Sequence, residues 1–288
     1  MSRCRIALLL IGAIALILGL AACGDDDDDS SDSGTSVSAE DCTPDKLQTQ
    51  KDGALTVATD SPAFPPYFED DDPTNGKGFE SAVAYAIGDQ LGYAQNQVEW
   101  VVEPFNSSYA PGPKDFDLDV NQISITPQRA EQVDFSSPYY EAKQAIVALK
   151  DSEAADATSL EDVKGANIGV QIGTTSLEAV NEEIEPDNDP KVFDTSNDVV
   201  TALKQGSVDV VVVDVPTAFF LTAVQVPEAT VVGQFAAPGG DQWGALLEKD
   251  SSLTGCVSFA VDELKDSGEL EEMESEWISE KTDAPVIE

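Results

Sequence analysis

The sequence predicts an α/β protein of two lobes. Segments typical of strands alternate with segments typical of helices, and several strand segments are solid runs of apolar β-branched residues, such as "DVVVVD" at 209–214. Such strands indicate parallel sheets covered by helices on both faces. The chain has 288 residues, 41% of them hydrophobic, which is enough for one large or two medium domains.

The predicted elements follow one another in a regular order. Strands are predicted at 54–59, 98–102, 116–122, 145–150, 166–171, 191–194, 209–214 and 229–235. Helices are predicted at 79–92, 159–165, 175–185, 196–206 and 216–225, with two more at the end of the chain that break at Gly268. This order predicts lobe 1 from residues 42–145 and 238–288, and lobe 2 from residues 146–237. Two connections would form a hinge, with a small ligand in the cleft between the lobes.

The first 22 residues have the pattern of a bacterial lipoprotein signal peptide. A short basic start, "MSRCR", precedes 17 apolar residues, and "LAAC" places small residues before Cys23. Cys23 would then carry the lipid, including acyl chains such as palmitate, as the first mature residue. The alternative is an uncleaved membrane anchor, because 17 apolar residues reach the lower limit for a transmembrane helix. Either reading places the folded part outside the cytoplasm, tethered to the membrane.

Residues 23–41 are predicted to form a disordered linker. The stretch "GDDDDDSSDSGTS" has no large apolar residue, so it cannot offset the entropy of ordering, and its charges repel one another. A calcium site is the alternative, but consecutive aspartates on a flexible chain do not provide fixed ligand geometry. No metal or other cofactor is expected.

The formal charge of −40 excludes nucleic acid as a partner. It also disfavours binding of the folded part to anionic lipid, so attachment to the membrane would depend on the lipid anchor.

The chain has four cysteines, of which Cys4 lies in the signal peptide and Cys23 would carry the lipid. Cys42 and Cys256 are therefore the two that are left in the folded part. Outside the cytoplasm such a pair predicts a disulfide, and two buried free thiols are the alternative. A disulfide would return the final helices to lobe 1.

Arg129 is the only arginine after the leader, in a chain with 55 carboxylates. Its planar guanidinium group can donate two parallel hydrogen bonds to a ligand carboxylate, so arginine suits such a ligand better than lysine does. A structural salt bridge is the alternative. "GTTS" at 173–176 opens a helix whose free N–H groups favour an anion, although a threonine in this stretch would also serve as a plain N-cap. Asp214 ends a buried strand, where it would either cap a helix or bind an ammonium group.

Five stretches together resemble the extracellular solute-binding proteins of polar amino acid ABC importers: "LTVATDSPAFPPYF", "GKGFESAVAYAIGDQLG", "FDLDVNQISITPQRAEQVDFSSPYY", "IGVQIGTTS" and "GSVDVVVVDVPTAF". The resemblance covers residues 54 to about 280. It implies a two-lobed, type II periplasmic-binding-protein-like fold that closes about a hinge and has no catalytic activity.

By position, the resemblance also implies a ligand site. Arg129 and Ser124 would bind the ligand carboxylate, completed by Thr174 and Thr175, and Asp214 would bind the α-amino group. Phe64 and Phe105 would sandwich the ligand, although isolated phenylalanines are more often part of a core. Asp60, Gln122 and Gln171 match positions that contact the ligand side chain or ammonium group.

The implied partners are an amino acid, an ABC transporter permease and, through lipid, the membrane; a monomer is expected. Surface acid disfavours anionic ligands, so polar neutral or cationic amino acids rank first. One alternative is a lipoprotein that senses amino acids and signals to a membrane partner. Another is a dehydratase-like enzyme on the same scaffold, but the chain has no histidine and no evident acid–base pair.

The lipoprotein prediction can be tested at Cys23. Without the thiol no thioether to lipid can form, so Cys23→Ser should leave the precursor unprocessed or release the protein into the medium. Immunoblotting of membrane and medium fractions measures this outcome. If Cys23→Ser protein is processed normally and stays tightly membrane-bound, the lipoprotein assignment is wrong.

Overall fold

Two five-stranded sheets form the framework of the protein, whose computed structural model describes residues 37–278 and 284–288. The predicted signal peptide, the lipidation site Cys23 and most of the acidic linker lie outside the described residues. Residues Val37–Glu288 cluster as one unit.

The strands are β1 (Leu55–Thr59), β2 (Val98–Val102), β3 (Leu118–Asp119), β4 (Asp134–Glu141), β5 (Gln144–Leu149), β6 (Ile168–Gln171), β7 (Lys191–Phe193), β8 (Val210–Asp214), β9 (Ala229–Phe235) and β10 (Gln242–Leu247). The helices are α1 (Phe79–Gln90), α2 (Phe105–Ser108), α3 (Pro127–Ala130), α4 (Thr175–Ala179), α5 (Ser196–Lys204), α6 (Val215–Phe220), α7 (Thr254–Ser267) and α8 (Glu269–Trp277). π-helical turns at Val180–Ile184 and Leu221–Gln225 extend α4 and α6 over the predicted ranges. The helix predicted at 159–165 is only a 3-10 turn, Glu161–Val163.

Both sheets are mixed, so the prediction of purely parallel sheets is wrong. The first has the order β2-β1-β3-β10-β4, in which β10 runs antiparallel to β3 and β4. The second has the order β7-β6-β8-β5-β9, in which β5 runs antiparallel to β8 and β9. The strands β5 and β10 each follow a crossover from the other sheet. A central strand buried on both faces has the same composition in either direction, so the sequence did not distinguish them.

The first lobe packs α1, α7 and α8 against its sheet. Leu55 and Val57 of β1 share a core with Phe79 and Ile87 of α1 and Val257 of α7. α1 begins directly after Gly78, which has φ 95°, and a Cβ at that position would lie 2.4 Å from the Tyr67 carbonyl oxygen. No other residue fits there without moving this backbone. At the other end of the lobe, Gly268 has φ 85° and separates α7 from α8, which confirms the predicted break.

The second lobe has apolar clusters on both faces of its sheet. Ile146 and Val212 face a cluster with α4, whereas Val147 and Val211 face a cluster with α5 and α6. Alternating residues of the same strands therefore enter opposite cores, because side chains alternate across a strand. This arrangement explains the continuous apolar runs in the sequence.

Two predicted boundaries differ from the structure. Residues 37–41, assigned to the linker, pack on lobe 1: Val37 contacts its core, and Ala39–Asp41 form a 3-10 turn. Residues 284–288, assigned to lobe 1, lie on the second sheet instead. Ile287 is 4% exposed in that lobe's core, and the Ile287 backbone N–H donates to the Gln234 carbonyl at 3.0 Å. The tail follows a polar stretch and contains a single isoleucine, so its sequence pattern does not indicate which lobe it packs on.

The predicted disulfide is present, and the alternative of two free thiols is wrong. Cys42 and Cys256 are bonded with their Cα atoms 5.3 Å apart, across a sequence separation of 214 residues. Cys256 lies on α7, which packs against β4 and α1. The last helices therefore return to the first lobe, as expected from the pairing. Among the described helices, none is long and apolar enough to cross a membrane.

Replacing both cysteines tests the contribution of this closure. In the chain-entropy account, a bond that closes so long a loop restricts the unfolded chain, and removing it costs about 2–5 kcal/mol. Cys42→Ser with Cys256→Ser should therefore lower the free energy of unfolding by that amount in urea titrations. Reduced wild-type protein is the matched control and should show a similar loss. An unchanged unfolding midpoint would contradict the prediction.

Candidate functional site

All ten residues predicted as ligand-binding line one cavity, which receives side chains from both sheets. Its volume is about 820 Å³, including the solvent space at its mouth. From the first lobe it is lined by Asp60, Phe64, Phe105, Gln122, Ser124 and Arg129, and from the second by Gln171, Thr174, Thr175 and Asp214. The sequence thus identified positions that are far apart in the chain and adjacent in space.

Arg129 lies on α3, a short helix that Thr126 caps by accepting a hydrogen bond from the Arg129 N–H. Its side chain is only 8% exposed. Nη1 donates to the Ser124 carbonyl oxygen at 2.7 Å, and Nη2 donates to the Gly173 carbonyl oxygen of the other lobe at 2.9 Å. The guanidinium also lies over Tyr109, 4.7 Å from the ring centroid, and 5.5 Å from that of Phe105.

Arg129 has no carboxylate within 4.0 Å among residues 37–278 and 284–288, so the salt-bridge alternative is wrong for the described chain. The carbonyl groups and aromatic faces that it contacts are neutral. Burial lowers the pKa of the guanidinium, which means that the site disfavours an uncompensated charge. An anion in the cavity would supply the missing compensation.

The "GTTS" turn supplies both an N-cap and polar groups for the cavity. Thr174 caps α4, because its Oγ1 accepts from the Leu177 N–H at 3.2 Å, so the plain N-cap reading is confirmed. Its hydroxyl also donates to the Gln171 carbonyl oxygen at 2.9 Å. Thr175 Oγ1 donates to Asp241 Oδ2 at 2.9 Å and lies 3.3 Å from Ser124 Oγ. These hydroxyls are therefore engaged within the protein, and the free donors at this helix start are backbone N–H groups.

Asp214 is the last residue of β8 and occupies the N-cap position of α6, but its side chain makes no capping hydrogen bond. Its Oδ1 instead accepts from Gln144 Nε2 at 2.8 Å. Burial, followed by the nearby carboxylate of Asp241, raises the pKa of Asp214 well above its usual range. The alternative that the Asp214 side chain caps a helix is therefore wrong. Its carboxyl oxygens are acceptors that a cation in the cavity could bind.

The opposite wall of the cavity combines an acid with aromatic rings. Asp60 accepts from the backbone N–H groups of Ser61 at 2.6 Å and Phe105 at 3.3 Å. Phe64 is half-buried at the edge of the first core, and Phe105 is half-buried at the edge of a smaller one. Both rings therefore serve as core edge and cavity wall at once. Together these side chains present flat apolar faces beside a carboxylate.

Gln122 is held in place by a buried acid that the sequence analysis did not single out. Gln122 has φ 50°, and its backbone N–H donates to Glu80 Oε1 at 2.7 Å while its side-chain amide bonds Oε2. Tyr139 donates its hydroxyl to the same carboxyl group. Burial raises the pKa of Glu80 to about 7, although these three hydrogen bonds lower it.

Gln171, in the second lobe, is also held by a hydrogen bond. Its Oε1 accepts from Ser196 Oγ at 2.5 Å.

Several cavity residues escaped the sequence analysis. Asn121, Ser176 and Ser196 line the cavity, and Thr217 joins the lobes through a 2.9 Å hydrogen bond with the Tyr67 hydroxyl. Asn121 and Ser176 are direct neighbours of predicted residues, so their positions in the motifs were a usable signal. Asp241, which bonds Thr175 but is not part of the cavity lining, follows two glycines far along the chain and gave no local signal.

A family model described as "Bacterial extracellular solute-binding proteins, family 3" matches residues 55–280. The chain belongs to this family. The match spans both sheets and every residue of the cavity named above. It confirms the resemblance drawn from the five sequence motifs, and with it the two-lobed type II fold.

Amino-acid-binding proteins are among the relatives of this solute-binding protein. It is 30% identical to the arginine-binding extracellular protein ArtP of Bacillus subtilis (strain 168) over 277 residues, which cover 94% of this chain and 97% of ArtP. A solved structure of an ancestral arginine-binding protein bound to arginine is 34% identical, with a TM-score of 0.65, and covers 78% of this chain and 98% of its own.

A third relative bears on the enzyme alternative. The ancestral amino acid-binding protein AncCDT-1, described as a precursor of cyclohexadienyl dehydratase, is 29% identical with a TM-score of 0.64. The match covers 79% of this chain and 96% of that one. These relatives are described as binding proteins rather than enzymes.

The buried Glu80 predicts a specific dependence of stability on pH. Its pKa is raised from 4.5 to about 7, so its contribution to stability is fully present below pH 4.5 and is lost as pH rises through 7. Compared with Glu80→Gln, wild-type protein should lose about 3 kcal/mol of unfolding free energy between these pH values. Urea titrations across that range measure the difference in slope. Parallel curves for the two proteins would contradict the prediction.

Proposed function

We propose that this protein captures a single amino acid between its lobes and delivers it to an ABC transporter permease. The observation that carries this proposal is Arg129: a buried guanidinium beside the cavity with no carboxylate partner in the described chain. The α-carboxylate of an amino acid fits this fork, with further donors from the start of α4. On the other side, the Asp214 carboxyl group binds the α-ammonium group.

Cationic amino acids are the best-supported ligand class. Of the charged side chains that line the cavity, Asp60 and Asp214 are acidic and Arg129 is basic. The α-groups of the ligand would engage Arg129 and Asp214, which leaves Asp60 for a second positive charge. Phe64 and Phe105, which line the same cavity as Asp60, suit a planar guanidinium, since cations and flat groups both bind aromatic faces. The relatives described as arginine-binding support the same ligand class.

Attachment and delivery complete the proposal. The lipoprotein-like start of the sequence supports anchoring through Cys23 on the outer face of the cell membrane, with the acidic stretch as a spacer. A tether of this kind keeps the binding domain close to its permease, so the loaded protein need not search by free diffusion. The folded domain would act as a monomer.

The decisive test is the affinity of Arg129 variants for amino acids. The twenty amino acids are first screened by thermal shift, and L-arginine and L-glutamine are then titrated by calorimetry. Removing one partner of a buried charge pair costs about 3–5 kcal/mol, so Arg129→Ala should weaken binding by roughly two to four decades. Arg129→Lys should not restore it, because an ammonium group cannot reproduce the bidentate fork.

Lys164→Ala is the matched control. This lysine pairs with Glu161 Oε2 at 2.8 Å, and neither residue lines the cavity, so the variant removes a cation that is not part of the ligand site. Binding should be unchanged. If Arg129→Ala binds its amino acid as tightly as Lys164→Ala does, Arg129 is a structural residue and the proposed carboxylate site is wrong.

A further inference from the structure

Two acids and one amide form a buried cluster where the crossovers between the lobes meet. Gln144 is the first residue of β5, after one crossover, and Asp241 directly precedes β10, after the other. The Ala142 N–H donates to the Asp241 carbonyl oxygen at 2.8 Å, which joins the crossovers. Gln144 Nε2 donates at 2.8 Å to both Asp214 Oδ1 and Asp241 Oδ2. We refer to Asp214 and Asp241 as the carboxylate pair.

The carboxylate pair lacks a direct positive partner. Asp241 is 1% exposed and Gln144 is fully buried. No lysine or arginine nitrogen of the described residues lies within 4.0 Å of either carboxylate. Because both oxygens bond the same nitrogen, the two acids lie within a few ångströms of each other. Two buried like charges at that separation cannot both be retained without cost.

The ionisable groups around the pair do not provide that compensation. Glu80 on α1 can add only further negative charge when it ionises, and Tyr67 and Tyr140 face Asp214 as neutral hydroxyls. Arg129 on α3 attracts both acids, but none of its nitrogens lies within 4.0 Å of either carboxylate. One acid of the pair should therefore carry a proton.

The hydrogen bonds indicate which acid holds it. Asp241 Oδ2 accepts from two donors, Gln144 Nε2 and Thr175 Oγ1, whereas Asp214 accepts only from Gln144. Donors to a carboxylate favour its charged form. The proton therefore belongs on Asp214, the acid with fewer donors, in agreement with its raised pKa.

We propose that Asp241 keeps a proton on Asp214 in the empty site, and that the ammonium group of an incoming amino acid displaces it. This inference rests on the proposed function of Asp214. The Asp214 O–H bond breaks, the proton passes to solvent or buffer, and the positive ammonium takes its place. Asp241 does not contact the ligand in this account; it positions the proton through Gln144 and its own charge. Binding is thus an exchange of one cation for another.

The exchange can be counted by calorimetry. L-Arginine and L-glutamine are titrated at pH 6, 7 and 8 in buffers of different ionisation enthalpy, so that the heat reports the number of protons released. Wild-type protein should release close to one proton per amino acid at the lower pH, and its dissociation constant should fall about tenfold for each pH unit in that range. Asp241→Asn keeps an acceptor for Gln144 and Thr175 but removes the charge. Burial still favours the proton on Asp214, so this variant should release measurably fewer protons than wild-type protein rather than none.

Asp250→Asn is the matched control, since it makes the same chemical change at an exposed turn away from the cavity. It should release as many protons as wild-type protein. Binding without proton release in wild-type protein, or equal release in Asp241→Asn, overturns the inference while leaving the proposed function intact.

A second arm needs no ligand and separates the two hypotheses. A raised pKa means that stability supplied by the Asp214 proton is present at low pH and is lost as pH rises through that pKa. Asp214→Asn mimics the protonated acid, so the Tm of wild-type protein should fall relative to this variant between pH 6 and 9. In an Asp241→Asn background the difference should be smaller, because the burial of Asp214 remains and only the neighbouring charge is removed. Parallel Tm curves in both backgrounds would refute the proton on Asp214, even if neither amino acid binds.

Discussion

The structure depends on a buried cation that its own described residues do not neutralise. Arg129 is fixed by the cap and proline of α3, by two backbone carbonyl groups and by the rings of Phe105 and Tyr109. These neutral contacts occupy two of the five N–H donors of the guanidinium and hold its direction without cancelling its charge. A buried charge is tolerated when its hydrogen bonds are met and costs less when an anion joins it. The buried positive charge of Arg129 therefore favours binding of a carboxylate before any ligand is present.

The lobes meet where the chain crosses between them, and the polar groups of the cavity gather at the same place. Gln144 and Asp241 follow the two crossovers, and they connect Asp214 on one sheet with Thr175 and Ser176 at the start of α4. Arg129 reaches from the first lobe to the Gly173 carbonyl of the second. These bonds link the segments that cross between the lobes directly to the wall of the cavity.

A chain with 55 acids also uses carboxyl groups inside its core. Glu80 accepts hydrogen bonds from the Gln122 backbone and side chain and so fixes a non-glycine residue at φ 50° beside the cavity. Asp119, fully buried in β3 and bonded by Ser108, has its pKa raised to about 8 by burial. These acids are hydrogen-bonded rather than paired with lysine or arginine. They shape the loops that present ligand-facing side chains.

The sequence by itself determined the alternation of elements, the family, the cysteine pairing and ten of the residues that line the cavity. Each rested on a local signal: a periodic apolar pattern, a motif, or the position of a lone arginine. Strand direction was decided only by tertiary structure, because a strand buried on both faces reads alike in either direction. The tail at 284–288 and the links from Gln144 to Asp214 and Asp241 were likewise decided in space. Those contacts join residues up to 97 positions apart, and neither residue type nor spacing along the chain specifies which buried polar groups will meet.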